Sequence, residues 1–224
     1  MKLRKFLFSS LFSTLLFSSC QPNKKGTEAP SKTVTEEASP ASGDLVIIET
    51  SMGTIKARLH GDTAPITTKN FLSYVDEKFY DETIFHRVIP NFMVQGGGFA
   101  LADSTPKEKI TRDPIRNESP KSRKNLRGTL AMARTPDPHS ASAQFFINVV
   151  DNAMLDHPNS QGEGYAVFGE VIEGMEIADK IVAVPTFETP LLAENNGRWI
   201  VNLSQNVPID PVFIKSIRRA PADK

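Results

Sequence analysis

Between Phe85 and Phe99 the chain reads FHRVIPNFMVQGGGF, and this run limits the possible folds more than any other stretch. Two short apolar segments, Ile84–Ile89 and Phe92–Gln95, flank a Pro-Asn pair suited to a bend, which predicts a tight pair of β-strands. Alternation along a strand puts Met93 and Gln95 on one face and Phe92 and Val94 on the other. By the same rule Phe85 and Arg87 share a face, with His86 pointing opposite to Arg87. An arginine beside a methionine and a glutamine makes an apolar floor with a fixed cationic donor at its rim. The glycine triplet predicts a sharp turn of the backbone.

A second pair of segments complements the first. GTLAMAR at 128–134 and SAQFFIN at 142–148 read as strands, with Gln144 and Phe146 on one face of the latter and Phe145 and Ile147 on the other. A glutamine buried among large apolar groups needs hydrogen-bonding partners, so Gln95 and Gln144 are candidates for a shared polar site. Taken alone, each Phe, Met or Leu here reads first as an ordinary core residue.

Taken together, FHRVIPNFMVQGGGF, GTLAMAR, SAQFFINV and YAVFGEVIEG resemble the cyclophilin family of peptidyl-prolyl isomerases, over about Leu45 to Ile217 and in the family's order. The segment LDHPNSQGEGYAVFGEV is most similar to the bacterial exported branch. The resemblance implies a mainly β protein, a closed eight-stranded antiparallel barrel with two capping helices. It implies catalysis by Arg87 with Gln95. Phe92, Met93, Ala133, Arg134, Gln144, Phe146, Leu155 and Tyr165 are then the substrate-binding residues. It also implies proline-containing polypeptides as partners, a monomer, and no cofactor. The alternative function is a non-catalytic cyclophilin-like chaperone or surface binding module. A pure binder has no need of the arginine, which favours the enzyme. Three positions depart from the usual family pattern: Arg134 replaces an asparagine, Met154 a tryptophan and Tyr165 a histidine.

The remaining strand and helix signals fit that architecture. Leu45–Thr50 and Thr54–Leu59 flank Ser51-Met52-Gly53 as a hairpin, and Ile55, Ala57 and Leu59 alternate as one buried face. Thr63 and Pro65 mark a helix start, with Thr63 the N-cap candidate, and the apolar stripe of that helix ends near Phe79. Tyr165–Ile172 reads as a strand, Met175–Val182 as an amphipathic helix and Val212–Arg218 as a closing strand. Pro185–Pro211 is long for a helix-to-strand connection. It holds an Asn195-Asn196-Gly197 turn signal and Trp199, the only tryptophan, which is expected against the barrel flank, with a partner contact as the other reading.

Ahead of this domain the sequence changes character. Lys2, Arg4 and Lys5 precede an apolar run, Phe6–Phe17, too short to span a bilayer and suited to an export signal. Ser18-Ser19-Cys20 resembles the end of a bacterial lipoprotein signal, with Phe17 an atypical residue before it. Cys20 is the single cysteine among 224 residues, so no internal disulfide forms, and lipidation gives an unpaired cysteine a role in an exported protein. The competing reading is a passenger cysteine in an ordinary cleaved signal. Residues 21–43, rich in Pro, Ser, Thr and charge, cannot bury enough apolar surface to fold. The expected organisation is a signal peptide over 1–19, an anchor cysteine and disordered tether over 20–43, and an isomerase domain over 44–224. The expected location is the cell envelope: the outer membrane facing the periplasm, or the cell surface.

Charge adds exclusions. Lysine plus arginine and aspartate plus glutamate number 26 each, so nothing global favours nucleic acid. The locally basic stretch 107–127 is either a solvated loop or a docking surface for acidic clients. His60, His86, His139 and His157 lack metal-ligand spacing, so no metal site is expected.

Overall fold

The computed structural model describes residues 45–221 apart from 161 and 196. The signal and anchor readings therefore lie outside the described residues. Eleven strands form one sheet system: β1 (Leu45–Thr50), β2 (Gly53–Leu59), β3 (Thr83–Ile89), β4 (Met93–Ala102), β5 (Thr105–Glu108), β6 (Thr129–Met132), β7 (Phe145–Asn148), β8 (Val167–Glu173), β9 (Thr186–Asn195), β10 (Arg198–Pro208) and β11 (Phe213–Arg219). Their order is β10-β9-β5-β4-β3-β11-β1-β2-β8-β6-β7, and β7 pairs back onto β4. That last pairing closes eight strands into an antiparallel barrel and leaves β5, β9 and β10 as an extension outside it. Closure removes the barrel's own edges.

Interior positions follow the period of two. Val46, Ile48, Ile55, Ala57, Leu130, Phe145, Ile147 and Ile217 are buried in one core. Helix α1 (Pro65–Asp76) adds Phe71, Tyr74 and Val75, and α2 (Met175–Val182) adds Ile177, Ala178 and Ile181. Phe71 sits at the centre, its ring 4.9 to 5.5 Å from those of Tyr80, Phe145 and Phe168. The edge-on approach to Phe145 is a favourable geometry for aromatic pairs.

Several local expectations are corrected. The α1 N-cap is Ala64, without a side-chain cap bond, rather than Thr63. Glu118 takes the capping role from a distant loop: it accepts from the Ile66 and Thr67 backbone N–H groups at 3.2 and 2.8 Å and from the Thr67 hydroxyl at 2.8 Å. A carboxylate satisfies these orphan donors and also suits the helix dipole. The glycine triplet does not turn the chain, because β4 runs through it. What the triplet supplies is clearance. Gly97 alone of the three adopts positive φ (83°), and a Cβ on Gly98 would lie 2.4 Å from the Gln144 side chain.

Phe85 and Arg87 do not share a face. The β3–β4 register shifts between them, with Phe85 opposite Gly96 and Arg87 opposite Gln95. This bulge re-aims the strand, leaving Phe85 in the barrel core while Arg87 leaves it. His86 is buried beside Phe99, ring centroids 4.5 Å apart. The stretch 107–127 is a mostly irregular loop whose cations are largely tied down. Arg112, Arg123, Lys124 and Arg127 pair with Glu77, Asp62, Asp156 and Asp179 at 2.9, 3.5, 3.5 and 2.7 Å. Trp199 is 42% exposed on β10 rather than packed on the barrel flank, and Lys107 Nζ stands 4.2 Å from its ring centre.

Candidate active site

Three barrel strands and two loops meet at one depression. It is lined by Arg87, Phe92, Met93, Gln95, Ala133, Arg134, Phe146, Leu155 and Tyr165, and holds about 90 Å³. Pockets for whole drug-sized molecules run to several hundred Å³. This one has room for a single compact side chain. Its apolar floor is a cluster separate from the barrel core: Met93, Ala131, Phe146 and Val167 are buried, with Phe92, Ala133, Leu155 and Tyr165 partly covered around them. Phe92 joins this cluster rather than the face of Val94, because it lies in the bend before β4 begins and is freed from strand alternation.

The polar rim is a chain of hydrogen bonds. Arg87 Nη1 donates to Gln95 Oε1 at 3.4 Å, Gln95 Nε2 donates to Gln144 Oε1 at 3.0 Å, and Gln144 Nε2 donates to Glu108 Oε1 at 3.1 Å. Each glutamine donates through its amide and accepts through its carbonyl, which orients both side chains. Strand pairing holds the components in place, since Gln95 lies opposite Arg87 on β3 and opposite Phe146 on β7. Partial burial lowers the Arg87 guanidinium from its ordinary value, opposed by the nearby Tyr165. An arginine starts so far above neutrality that the group stays charged. Burial lowers His86 to about 4, so it is neutral next to Arg87 at physiological pH.

Arg134 closes one wall. Its guanidinium stacks 4.5 Å from the Tyr165 ring centre, and it donates to the Gly164 carbonyl at 3.2 Å and to the carbonyls of Glu163 and Thr135. Tyr165 in turn meets the Phe146 ring edge-on at 5.8 Å. A second depression of about 190 Å³ adjoins the first, lined by Gln95, Glu108, Ala133, Arg134, Thr135, Ser140, Ser142 and Gln144. All ten residues named from the sequence thus come together, nine at the first depression and Gln144 at the second. Met154 is 70% exposed and lines neither.

Sequence reasoning missed the scaffold below the floor. Asn125, Asn148 and Asn152 are buried. Asn152 Nδ2 donates to the Phe92 carbonyl at 2.9 Å and to Asn148 Oδ1 at 2.7 Å, while Asn148 Nδ2 donates to the Thr129 hydroxyl at 2.9 Å. Asn125 donates from its backbone to Asp156 at 2.7 Å and from its side chain to the Tyr165 carbonyl at 3.3 Å. Such a network is costly unless every member finds a partner, and once satisfied it fixes what it touches. Here it touches the backbone of two pocket residues. Asn148, closing an otherwise apolar strand, was the available signal. Glu108 had none, since only the folded sheet brings it to Gln144.

The sequence that builds this barrel and pocket matches a known family. The family profile described as cyclophilin type peptidyl-prolyl cis-trans isomerase/CLD matches residues 45–216. The chain belongs to this family. It is 50% identical over 173 residues to "Peptidyl-prolyl cis-trans isomerase A" of Dickeya dadantii, covering 77% of this chain and 83% of that one. It is 49% identical over 175 residues to "Peptidyl-prolyl cis-trans isomerase B" of Escherichia coli, covering 77% and 98%. Among solved structures it resembles a Cryptosporidium parvum cyclophilin type isomerase crystallised in the presence of the dipeptide Ala-Pro, with TM-score 0.60, 28% identity and coverage of 79% and 99%. The cyclophilin described here is therefore an enzyme, a peptidyl-prolyl cis-trans isomerase, of a family that acts on proline-containing peptides.

Proposed function

We propose that this cyclophilin accelerates X–Pro isomerisation in exported polypeptides from a lipid-anchored position in the cell envelope, and that Arg87 supplies the catalysis. The observation carrying the mechanism is the guanidinium at the rim of a pocket sized for one ring, oriented by the Gln95–Gln144–Glu108 chain. Rotation about a peptide bond faces a barrier of roughly 18–20 kcal/mol because C–N double-bond character is lost at the twisted state. No covalent bond breaks, so no nucleophile is needed. The requirement is tighter binding of the twisted amide than of either planar isomer. With the proline ring seated against Phe92, Met93, Phe146 and Leu155, twisting returns a lone pair to the proline nitrogen. The Arg87 guanidinium then donates to that lone pair, a bond that neither planar form can accept. Gln95 holds the guanidinium in plane, while Gln144, Ala133, Arg134 and Tyr165 bound the path of the substrate backbone.

A transition-state donor of this kind is worth about 10²–10³ in rate. Arg87→Ala is expected to lose that much activity on a short proline peptide and to keep its melting temperature.

The cellular part of the proposal rests on the leader: a basic start, the apolar run Phe6–Phe17, Ser18-Ser19-Cys20 and a tether over 21–43. Among the described residues no helix is long and apolar enough to cross a membrane; the proposal places membrane attachment at a lipid on Cys20. Two or more acyl chains give stable attachment where one is marginal. Protein expressed with its full leader should incorporate labelled fatty acid and fractionate with membranes, and Cys20→Ser should abolish both. Soluble native protein beginning elsewhere than Cys20 contradicts the anchor and leaves the isomerase mechanism untouched.

A further inference from the structure

The ribbon formed by β9 and β10 lies outside the eight barrel strands and does not line the pocket. It joins the sheet through β5, where Lys107 pairs with Leu192, and β10 ends the strand order. Sheet edges are commonly guarded by lysine, proline, charge or a bulge. On β10 these guards sit at the two ends: Arg198 opens the strand, and at the other end the register shifts between Ser204 and Val207, Asn206 has φ 64°, and Pro208 follows. From Trp199 to Ile209 there is no charged residue. Alternation puts Trp199, Val201 and Leu203 on one face, where Val201 and Leu203 are 63% and 67% exposed, while Leu191 of β9 and Val207 turn to a buried cluster with Ile84 and Phe99.

We infer that the Arg198–Ser204 edge of β10 captures an extended, neutral, apolar segment of an unfolded polypeptide by adding it to the sheet as a further strand. Main-chain bonds to the edge would supply binding without strict sequence choice, and the Trp199, Val201 and Leu203 face would favour β-branched and aromatic residues. Size decides between this occupant and a second copy of the chain. The straight part of the edge is seven residues, about 23 Å long. Two copies paired along it would bury far less than the roughly 1,200 Å² at which stable interfaces begin. A weak, reversible grip suits an enzyme that must release its substrate. The sheet is continuous from this edge through β9 and β5 to β4, which carries Gln95, so a captured segment and a proline in the pocket can belong to one chain. The choice of occupant rests on the proposed action on unfolded polypeptides; the edge itself does not.

The test pairs two substrates: an Ala-Pro tetrapeptide, and a longer peptide carrying the same Ala-Pro, a Gly-Ser spacer of about eight residues to cover the three strand spacings between β4 and β10, and then Val-Thr-Val-Thr-Val. The double variant Val201→Lys/Leu203→Lys should leave kcat/KM on the tetrapeptide within twofold and lower it at least fivefold on the long peptide. In the parent protein, saturating long peptide should slow amide hydrogen exchange across 198–204. Unchanged exchange there, or equal effects on both substrates, overturns the inference. So does a parent that sediments as a dimer which the double variant dissolves. No turnover of the tetrapeptide by the parent would instead overturn the reading of the pocket, and exchange at 198–204 would still report on the edge.

Discussion

The barrel and the β9–β10 ribbon use similar residues to opposite ends. In the barrel every strand has a partner on both sides, and Phe85, Leu130, Phe145 and Ile147 are fully buried. In the ribbon β10 has one partner among the described strands, and Trp199, Ile200, Val201 and Leu203 remain exposed. An apolar β-strand alternation therefore does not by itself mean core. What decides is whether the sheet closes over it. The pocket lies between these extremes: its floor is an apolar cluster on the outside of the barrel, kept open by a polar rim with its own hydrogen bonds.

The widest separation between the two regions is expected in stability. Phe145→Ala removes a buried ring that packs against Phe71 and Tyr80, and should cost about 3–5 kcal/mol. Leu203→Ala, the same kind of truncation on the ribbon, should stay within about 0.5 kcal/mol. Denaturant unfolding measures both, and comparable losses would mean the ribbon is part of the cooperative core.

A pH titration sharpens the contrast at the barrel wall. His86 is held at about 4 against an ordinary 6.5, chiefly by burial, and burial also lowers His60. Between those values the unfolded chain binds more protons than the folded one, so stability falls as pH drops from 6.5 towards 4. For His86 the loss is at most ~3 kcal/mol. Melting temperatures across that range should show it, and His86→Leu should flatten the curve. An unaltered slope in that variant would assign the acid sensitivity to other groups.

A smaller effect is expected at the outer end of the polar chain. Glu108→Gln keeps a carbonyl for Gln144 to donate to but removes the charge. Activity on a short peptide should fall only a few-fold, with the melting temperature unchanged. A loss as large as that of Arg87→Ala would make Glu108 more than a support.

Much of this was legible in the sequence because the barrel repeats one rule, alternation, and the pocket residues other than Leu155 lie in four compact motifs. Phe146 and Gln144 could be assigned one face of a strand before any fold was known. Arg87 and Phe85 could not, because a bulge between them breaks the alternation. Phe92 escaped for a related reason, lying in the bend rather than in β4. Glu118 as the cap of α1 and Glu108 beside Gln144 are contacts across 51 and 36 positions of sequence. No local pattern encodes them. Trp199 misled in another way: a large apolar side chain predicts burial, and only the position of β10 at the end of the sheet leaves it outside.

In the mechanism proposed for Arg87 the shape of the donor matters as well as its charge. Lysine is a point charge on a flexible stem and lacks the planar fork that Gln95 orients. The most direct measurement is kcat/KM of Arg87→Lys on an Ala-Pro peptide, beside the parent and Arg87→Ala, with all three shown to melt alike. The twisted-amide mechanism predicts that lysine falls close to alanine, about 10² or more below the parent. Lysine within threefold of the parent would show that charge alone suffices, and would contradict it.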